Sequence, residues 1–163
     1  MTEDQKLSEQ DKTFMRRTFE LAADARDEGI HPFSAILVDG EGNILMEQVN
    51  GYLPDLDMTG HAERVLMTRA SKAYRPDFLK TCTMYVSAEP CAMCAGSAYW
   101  AGLGRLVYSL SEHSLKQITG NHPETPTLDL PCRTVFESGQ REVEIIGPVM
   151  EEEGAKLHEG FWD

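Results

Sequence analysis

Pro90-Cys91-Ala92-Met93-Cys94, preceded in the chain by His61-Ala62-Glu63, is the stretch from which the rest of this sequence can be read. Two cysteines three apart on a helix face the same side, so both sulfurs can reach one metal ion. Proline suits the first turn of a helix, where its missing N–H costs nothing, and the pattern predicts a helix from about Cys91 to Ala101. The positive end of that helix favours deprotonated thiols. His61 lies 30 residues before Cys91 and offers an imidazole at the start of another helix. One imidazole and two thiolates make the three protein ligands of a catalytic zinc site, whose fourth position is left for water. Glu63 is too near His61 in the chain to be a comfortable fourth ligand, but is placed to hold that water and shuttle its proton. His61, Cys91 and Cys94 are therefore expected to bind one Zn²⁺ per subunit, and Glu63 to be the catalytic acid and base.

Composition sets bounds on the rest. With 163 residues, 41% hydrophobic content and no Pro/Gly/Ser-rich break, the chain fits one domain over residues 1–163 with a sizeable core. Zinc would take two of the 4 cysteines, and no apolar N-terminal run suggests a signal peptide or membrane span. A reducing, cytoplasmic setting without membrane attachment follows as the expectation. No disulfide is expected, with Cys82 in a strand core and Cys132 near a loop as bystanders. The formal charge is −12, and the 15 basic residues form no basic run, so the long-range field repels a polyphosphate chain. That argues against a nucleic-acid substrate and leaves a small neutral ring unpenalised.

Ser8 to Arg26 reads as an amphipathic helix with a capping-box start at Ser8 and Asp11, an inward face of Phe14, Thr18, Leu21, Ala22 and Ala25, and a stop at Gly29. Phe33 to Val38 and Asn43 to Val49 form a hairpin across the turn at 39–42. A helix from about His61 carries Val65, Leu66 and Ala70 inward. Strands follow at Thr83 to Val86, Arg105 to Ser109 and Val143 to Ile146, and a last helix spans about Glu151 to His158. The run Glu151-Glu152-Glu153 suits the N-terminus of that helix. Strands alternating with helices predict a three-layer α/β/α sandwich around a central mixed sheet. Residues 121–131 hold three prolines and form the one long irregular stretch, either a lid or an oligomer contact.

His-x-Glu followed by Pro-Cys-x-x-Cys is the pattern of zinc-dependent deaminases. With Glu89-Pro90-Cys91-Ala92-Met93-Cys94 and Ala98-Tyr99-Trp100-Ala101, the chain resembles the cytidine and deoxycytidylate deaminase superfamily over roughly residues 10 to 110. Its nearest likeness there is to the bacterial guanine deaminase and nucleoside deaminase branch. Pro32-Phe33-Ser34-Ala35 matches a Pro-Phe-Gly-Ala stretch of that family except for Ser34. The resemblance implies that Asn50 hydrogen-bonds the substrate ring, that a backbone N–H at Ala62 or in the cysteine turn anchors a ring oxygen, and that Phe33 and Trp100 line the pocket. Phe161 and Trp162 would cover the ring in this active site or a partner's. Each has a plainer alternative: a turn at Asn50-Gly51, core packing for Phe33 and Trp100, docking on the chain's own core for the tail. Glu112 and His113 follow the fourth strand, where family members read the exocyclic groups of the ring; exposed loop residues are the alternative. His31, beside a proline, reads as a solvated or capping residue.

The resemblance implies hydrolytic deamination of a small aminated purine, a guanine-like base before others, by an enzyme that associates as a homodimer. A purine or pyrimidine nucleoside of guanosine, adenosine or cytidine type is the alternative substrate. The tRNA adenosine reaction ranks low on charge. A noncatalytic zinc-stabilised interaction module is the rival of a different class. It requires a closed site, with a fourth ligand such as His31, His113, His122 or Cys132 arriving in three dimensions.

Overall fold

In the computed structural model, which describes residues 1–163, the chain's first long helix opens on the capping box that its sequence spells out. The Ser8 hydroxyl accepts from the Asp11 N–H and the Asp11 carboxylate accepts from the Ser8 N–H, each at 3.0 Å. Helix α1 then runs Glu9–Asp27 and stops before Gly29, whose φ of +79° is open to glycine at little cost. Its buried face holds Phe14, Thr18, Ala22 and Ala25, together with Met15 and Phe19; Leu21 is half-buried.

Five strands follow: β1 (Ser34–Val38), β2 (Ile44–Val49), β3 (Thr83–Ala88), β4 (Arg105–Leu110) and β5 (Glu144–Ile146). They lie in the order β2-β1-β3-β4-β5. β1 is antiparallel to both β2 and β3, while β3, β4 and β5 are parallel, so the sheet is mixed. All five residues of β1 are buried, because both faces of the sheet are covered. Ala35 and Leu37 point toward α2 (Ala62–Ala73) and α4 (Ala92–Ala101), in a core that includes Leu66, Met67, Ala95 and Ala98. Ile36 and Val38 point the other way, onto Phe14, Met15 and Phe19 of α1. The expected three-layer sandwich is thus the fold, built by period-two alternation through the central strands.

Three short helices lay outside the sequence reading: α3 (Pro76–Leu79), α5 (Glu112–Thr119) and α6 (Cys132–Glu137). Each is too brief to show a helical period, although Ser111 caps α5 by accepting from the Ser114 N–H. One boundary also moves. Helix α4 begins at Ala92 with Cys91 as its N-cap, so Pro90 stands just outside the first turn. All four cysteines are free, and Cys82 and Cys132 are buried. No helix is long and apolar enough to cross a membrane.

The last helix, α7 (Glu151–Lys156), leads into a tail that docks on this same chain. Arg26 donates to the Leu157 carbonyl at 2.7 Å and to that of Glu159, and its guanidinium lies 5.9 Å from the Phe161 ring centre. The Trp162 indole N–H donates to Nδ1 of His158 at 3.1 Å. The His158 proton therefore sits on Nε2, which is buried without a partner. Burial, then the nearby Arg26 charge, pushes the imidazole down from 6.5 to about 4. A histidine kept neutral in the fold but protonated when unfolded stabilises fully above pH 6.5, and this is lost as pH falls toward 4. The full loss is on the order of 3 kcal/mol. In a Trp100→Phe background, the Trp162 emission is expected to report tail release across that window, and a His158→Phe variant to flatten the response.

Candidate active site

Strand β3 leads into Glu89-Pro90-Cys91, and α2 and α4 pack side by side with their N-termini at that carboxyl end of the sheet, the usual address of ligands in open α/β folds. His61 is the N-cap of α2 and Cys91 the N-cap of α4. Both helix dipoles thus aim their positive ends at one spot. There the two sulfurs lie 3.8 Å apart, and Nδ1 of His61 lies 3.6 Å from Cys91 and 3.5 Å from Cys94. Zinc bonds of about 2.3 Å to sulfur and 2.0 Å to nitrogen require tetrahedral edges of about 3.8 Å and 3.5 Å. The three atoms fit that cage. No fourth His, Cys, Asp or Glu joins the group, so the site is open on one side. His31, His113, His122 and Cys132 do not close it.

Without the metal these groups share protons among themselves. Hydrogen bonding from Cys94 and His61 holds Cys91 down at about 4 against burial, so Cys91 is the thiolate. Its partner Cys94 is pushed up by that thiolate and by burial, and stays a thiol. The hydrogen bond to Cys91 raises His61 to about 9. Glu63, buried at the start of α2, is raised to about 7 by burial, with His61 opposing and Cys91 adding to the rise.

A cavity of about 290 Å³ opens over this cage, with Glu63, His61 and Cys91 on its floor and Asn50, Phe33, Glu112 and Leu115 on its walls. Asn50 is buried, and its Oδ1 accepts from the Tyr52 N–H at 2.8 Å. That bond fixes the amide with its NH₂ as the free half. The Asn50-Gly51 pair does form a side-chain turn, but the turn serves to orient a cavity residue. Glu112, at the start of α5, is buried and pushed up to about 8 by burial and by the negative groups at Cys91, Glu63 and Glu89. Glu89 was not anticipated. Its carboxylate accepts from the backbone N–H of Glu112 at 2.9 Å and of Cys132 at 2.8 Å, pinning α5 and α6 to the residue next to the cysteine turn. The sequence signal was an acid at the end of a buried strand, immediately before Pro90-Cys91.

A family model described as the cytidine and deoxycytidylate deaminase zinc-binding region matches residues 8–110. The chain belongs to this family. It is therefore a zinc-dependent hydrolytic deaminase, and His61, Cys91 and Cys94 lie within the matched residues and are positioned as a possible zinc site. The deaminase is 39% identical over 157 residues to a probable cytosine deaminase of Schizosaccharomyces pombe, covering 96% of this chain and 95% of that one. It is 38% identical over 106 residues to a tRNA-specific adenosine deaminase of Haemophilus influenzae, covering 65% of this chain and 61% of the relative. It is 36% identical over 104 residues to a guanine deaminase of Bacillus subtilis, covering 63% and 65% respectively.

Several residues expected in the deaminase's pocket stand elsewhere. Trp100 is 84% exposed and does not line the cavity; it borders a separate surface groove with Pro76, Lys80 and Arg141. It lies nine positions beyond Cys91, about half a turn round at about 100° per residue, so it leaves the helix on the far side. Phe161 and Trp162 do not line the cavity either. Trp162 is buried against His31 and Phe33, at ring distances of 5.0 and 6.0 Å, and so stands behind the wall they form. The Ala62 methyl is buried in the core, and its amide lies in the first turn of α2, where no preceding carbonyl of the helix can reach it. Ser34 is buried with its hydroxyl donating to the Thr18 carbonyl at 2.5 Å, so it ties β1 to α1. His31 reverses its sequence reading: it is buried and lines the cavity. His113 stays on the surface, 3.0 Å from Asp129.

Proposed function

We propose that this deaminase acts on a small aminated heterocycle as the free base, a guanine-like purine first. The observation that carries the reading is the cavity over the open side of the cage, lined by Glu63, Glu112 and the Asn50 amide. At about 290 Å³ it lies at the small end of ligand pockets, which run from about 300 to 1,000 Å³. The walls supply both halves of a code for such a ring: an amide donor at Asn50 for a ring oxygen or nitrogen, and a carboxyl at Glu112 for ring N–H or amino groups. Phe33 offers an apolar face for stacking.

Zinc held by His61, Cys91 and Cys94 would supply a water acidic enough to attack at neutral pH. Glu63 takes one proton of the attacking water and delivers it to the ring nitrogen beside the amino-bearing carbon, then takes the second proton from the former water oxygen and passes it to the departing amine. Water is consumed, the carbon–nitrogen bond breaks, a carbonyl replaces the amino group, and ammonia leaves.

A cytosine-type pyrimidine is the second reading, favoured by the relative that matches nearly the full length of both chains. The tRNA reaction is disfavoured by the charge of −12, since a polynucleotide needs cationic phosphate contacts. The homodimer implied by family resemblance belongs to the same proposal, and sedimentation equilibrium tests it. Ammonia release by the zinc-loaded enzyme across guanine, cytosine, adenine and their nucleosides tests the substrate. Guanine is expected to have the highest kcat/KM; a preference for cytosine establishes the second reading, and a preference for nucleosides overturns the free-base assignment.

A further inference from the structure

Two irregular segments roof the cavity. Tyr52, Asp57 and Met58 come from the loop between β2 and α2, and Glu124, Thr125, Pro126, Thr127 and Leu128 from the stretch between α5 and α6. The first is closed at its neck by the Gly51 N–H donating to the Gly60 carbonyl at 2.7 Å. A Cβ added at Gly60 would meet the Gly51 oxygen at 2.8 Å, so the neck is tight. The second segment holds itself with short turns, including the Thr125 N–H to the His122 carbonyl at 3.2 Å. No hydrogen bond runs directly from one segment to the other.

His31 spans the gap. Its ring stacks on Tyr52, with centres 4.9 Å apart and planes 14° from parallel. Its Nε2 lies 2.7 Å from Oε1 of Glu124, so the ring N–H donates to the carboxylate. Trp162 backs the same ring at 5.0 Å, and the side chain is only 7% exposed. A histidine fully hydrated in the unfolded chain is thus committed on three sides, to one loop, to the other, and to the tail. Its bond to Glu124 joins a buried donor to a carboxylate whose side chain is 43% exposed, so solvent screens part of its strength.

We propose that His31 is a positioning residue that clamps the 51–60 and 121–131 segments into one roof over the cavity, pre-forming it around a substrate of base size. The proposal has two separable halves, the stack on Tyr52 and the bond to Glu124, and substitutions can cut them one at a time. His31→Ala removes both, His31→Phe keeps a ring on Tyr52 but loses the bond, and Glu124→Ala loses the bond from the other side.

Hydrogen exchange on the zinc-loaded protein reads the clamp directly, because amide protection reports local opening. Exchange is expected to quicken in both segments for His31→Ala, and in 121–131 alone for His31→Phe and Glu124→Ala. Zinc content should stay at the wild-type level in all three. Where the closed roof falls to about a tenth of the population, apparent affinity falls about tenfold. KM for the preferred base should therefore rise about tenfold in His31→Ala while kcat changes far less. Unchanged exchange in either segment of His31→Ala, or a fall in kcat with KM preserved, overturns the clamp. The kinetic arm rests on the free-base reading, but a wild-type enzyme idle on every base would defeat that reading alone, since the exchange pattern still decides the clamp.

Discussion

Glu63→Gln is expected to lower kcat by about four powers of ten, the upper end of what a positioned general acid and base contributes, with KM for the base nearly unchanged. Three features make the expectation sharp. Glutamine keeps the shape and the cavity-facing position of the buried side chain, but it can neither accept the water proton nor pass it on. The cage atoms belong to His61, Cys91 and Cys94, so zinc should remain at one per chain. Turnover and metal content are therefore measured on the same sample. Near-normal turnover with zinc bound would remove Glu63 from the chemistry. Loss of zinc together with turnover would instead make it a ligand, which the three-residue cage argues against. Dialysis of the wild-type enzyme against a chelator should abolish activity by the other route, with recovery on adding Zn²⁺ back.

The parts of this site that were legible from sequence are those in which function and local structure use the same residues. His61, Cys91 and Cys94 are helix N-caps and first-turn residues, so their spacing fixes both their helices and their convergence. The sheet was legible because Ala35, Ile36, Leu37 and Val38 can all be apolar only where both faces are covered. What escaped was set by long-range contact. His31 sits beside a proline in a loop, and nothing local announces that Glu124, 93 residues on, will meet it. Glu89 looks like a strand-end acid until α5 and α6 bring their N–H groups to it. Trp100 went astray for a different reason. Its place in a motif suggested the pocket, whereas the helical period counted from Cys91 turns it outward.

Asp11→Ala is expected to cost about 3–5 kcal/mol of stability, the range for removing one partner of a buried, hydrogen-bonded charge pair. Asp11 is the N3 residue of the α1 capping box, and both of its carboxylate oxygens also take the Arg105 guanidinium at 3.0 Å. The Tyr85 hydroxyl donates to it at 2.6 Å. One buried side chain therefore ties α1 to β3 and β4. Its loss leaves the half-buried Arg105 with the exposed Glu144, at 3.3 Å, and the Tyr85 hydroxyl oxygen, at 3.4 Å, and takes away the acceptor of the Tyr85 O–H. For a chain of this size the melting temperature should fall on the order of 10 °C. Asp11→Asn, which can keep the cap and accept from Tyr85, should fall between the two proteins. Acid supplies the control. Burial opposes ionisation of Asp11, but the hydrogen bonds from Arg105, Tyr85 and Ser8 outweigh it and hold the carboxyl far below its ordinary 3.8. A group depressed in this way stabilises above the unfolded value and loses that contribution as pH drops below it. The stability gap between wild type and Asp11→Ala should therefore hold constant from neutral pH down to about 5 and narrow below 4. Urea titrations at stepped pH measure the gap, and one that stays constant through pH 3 would mean that packing, and not the carboxylate charge, carries the effect of Asp11.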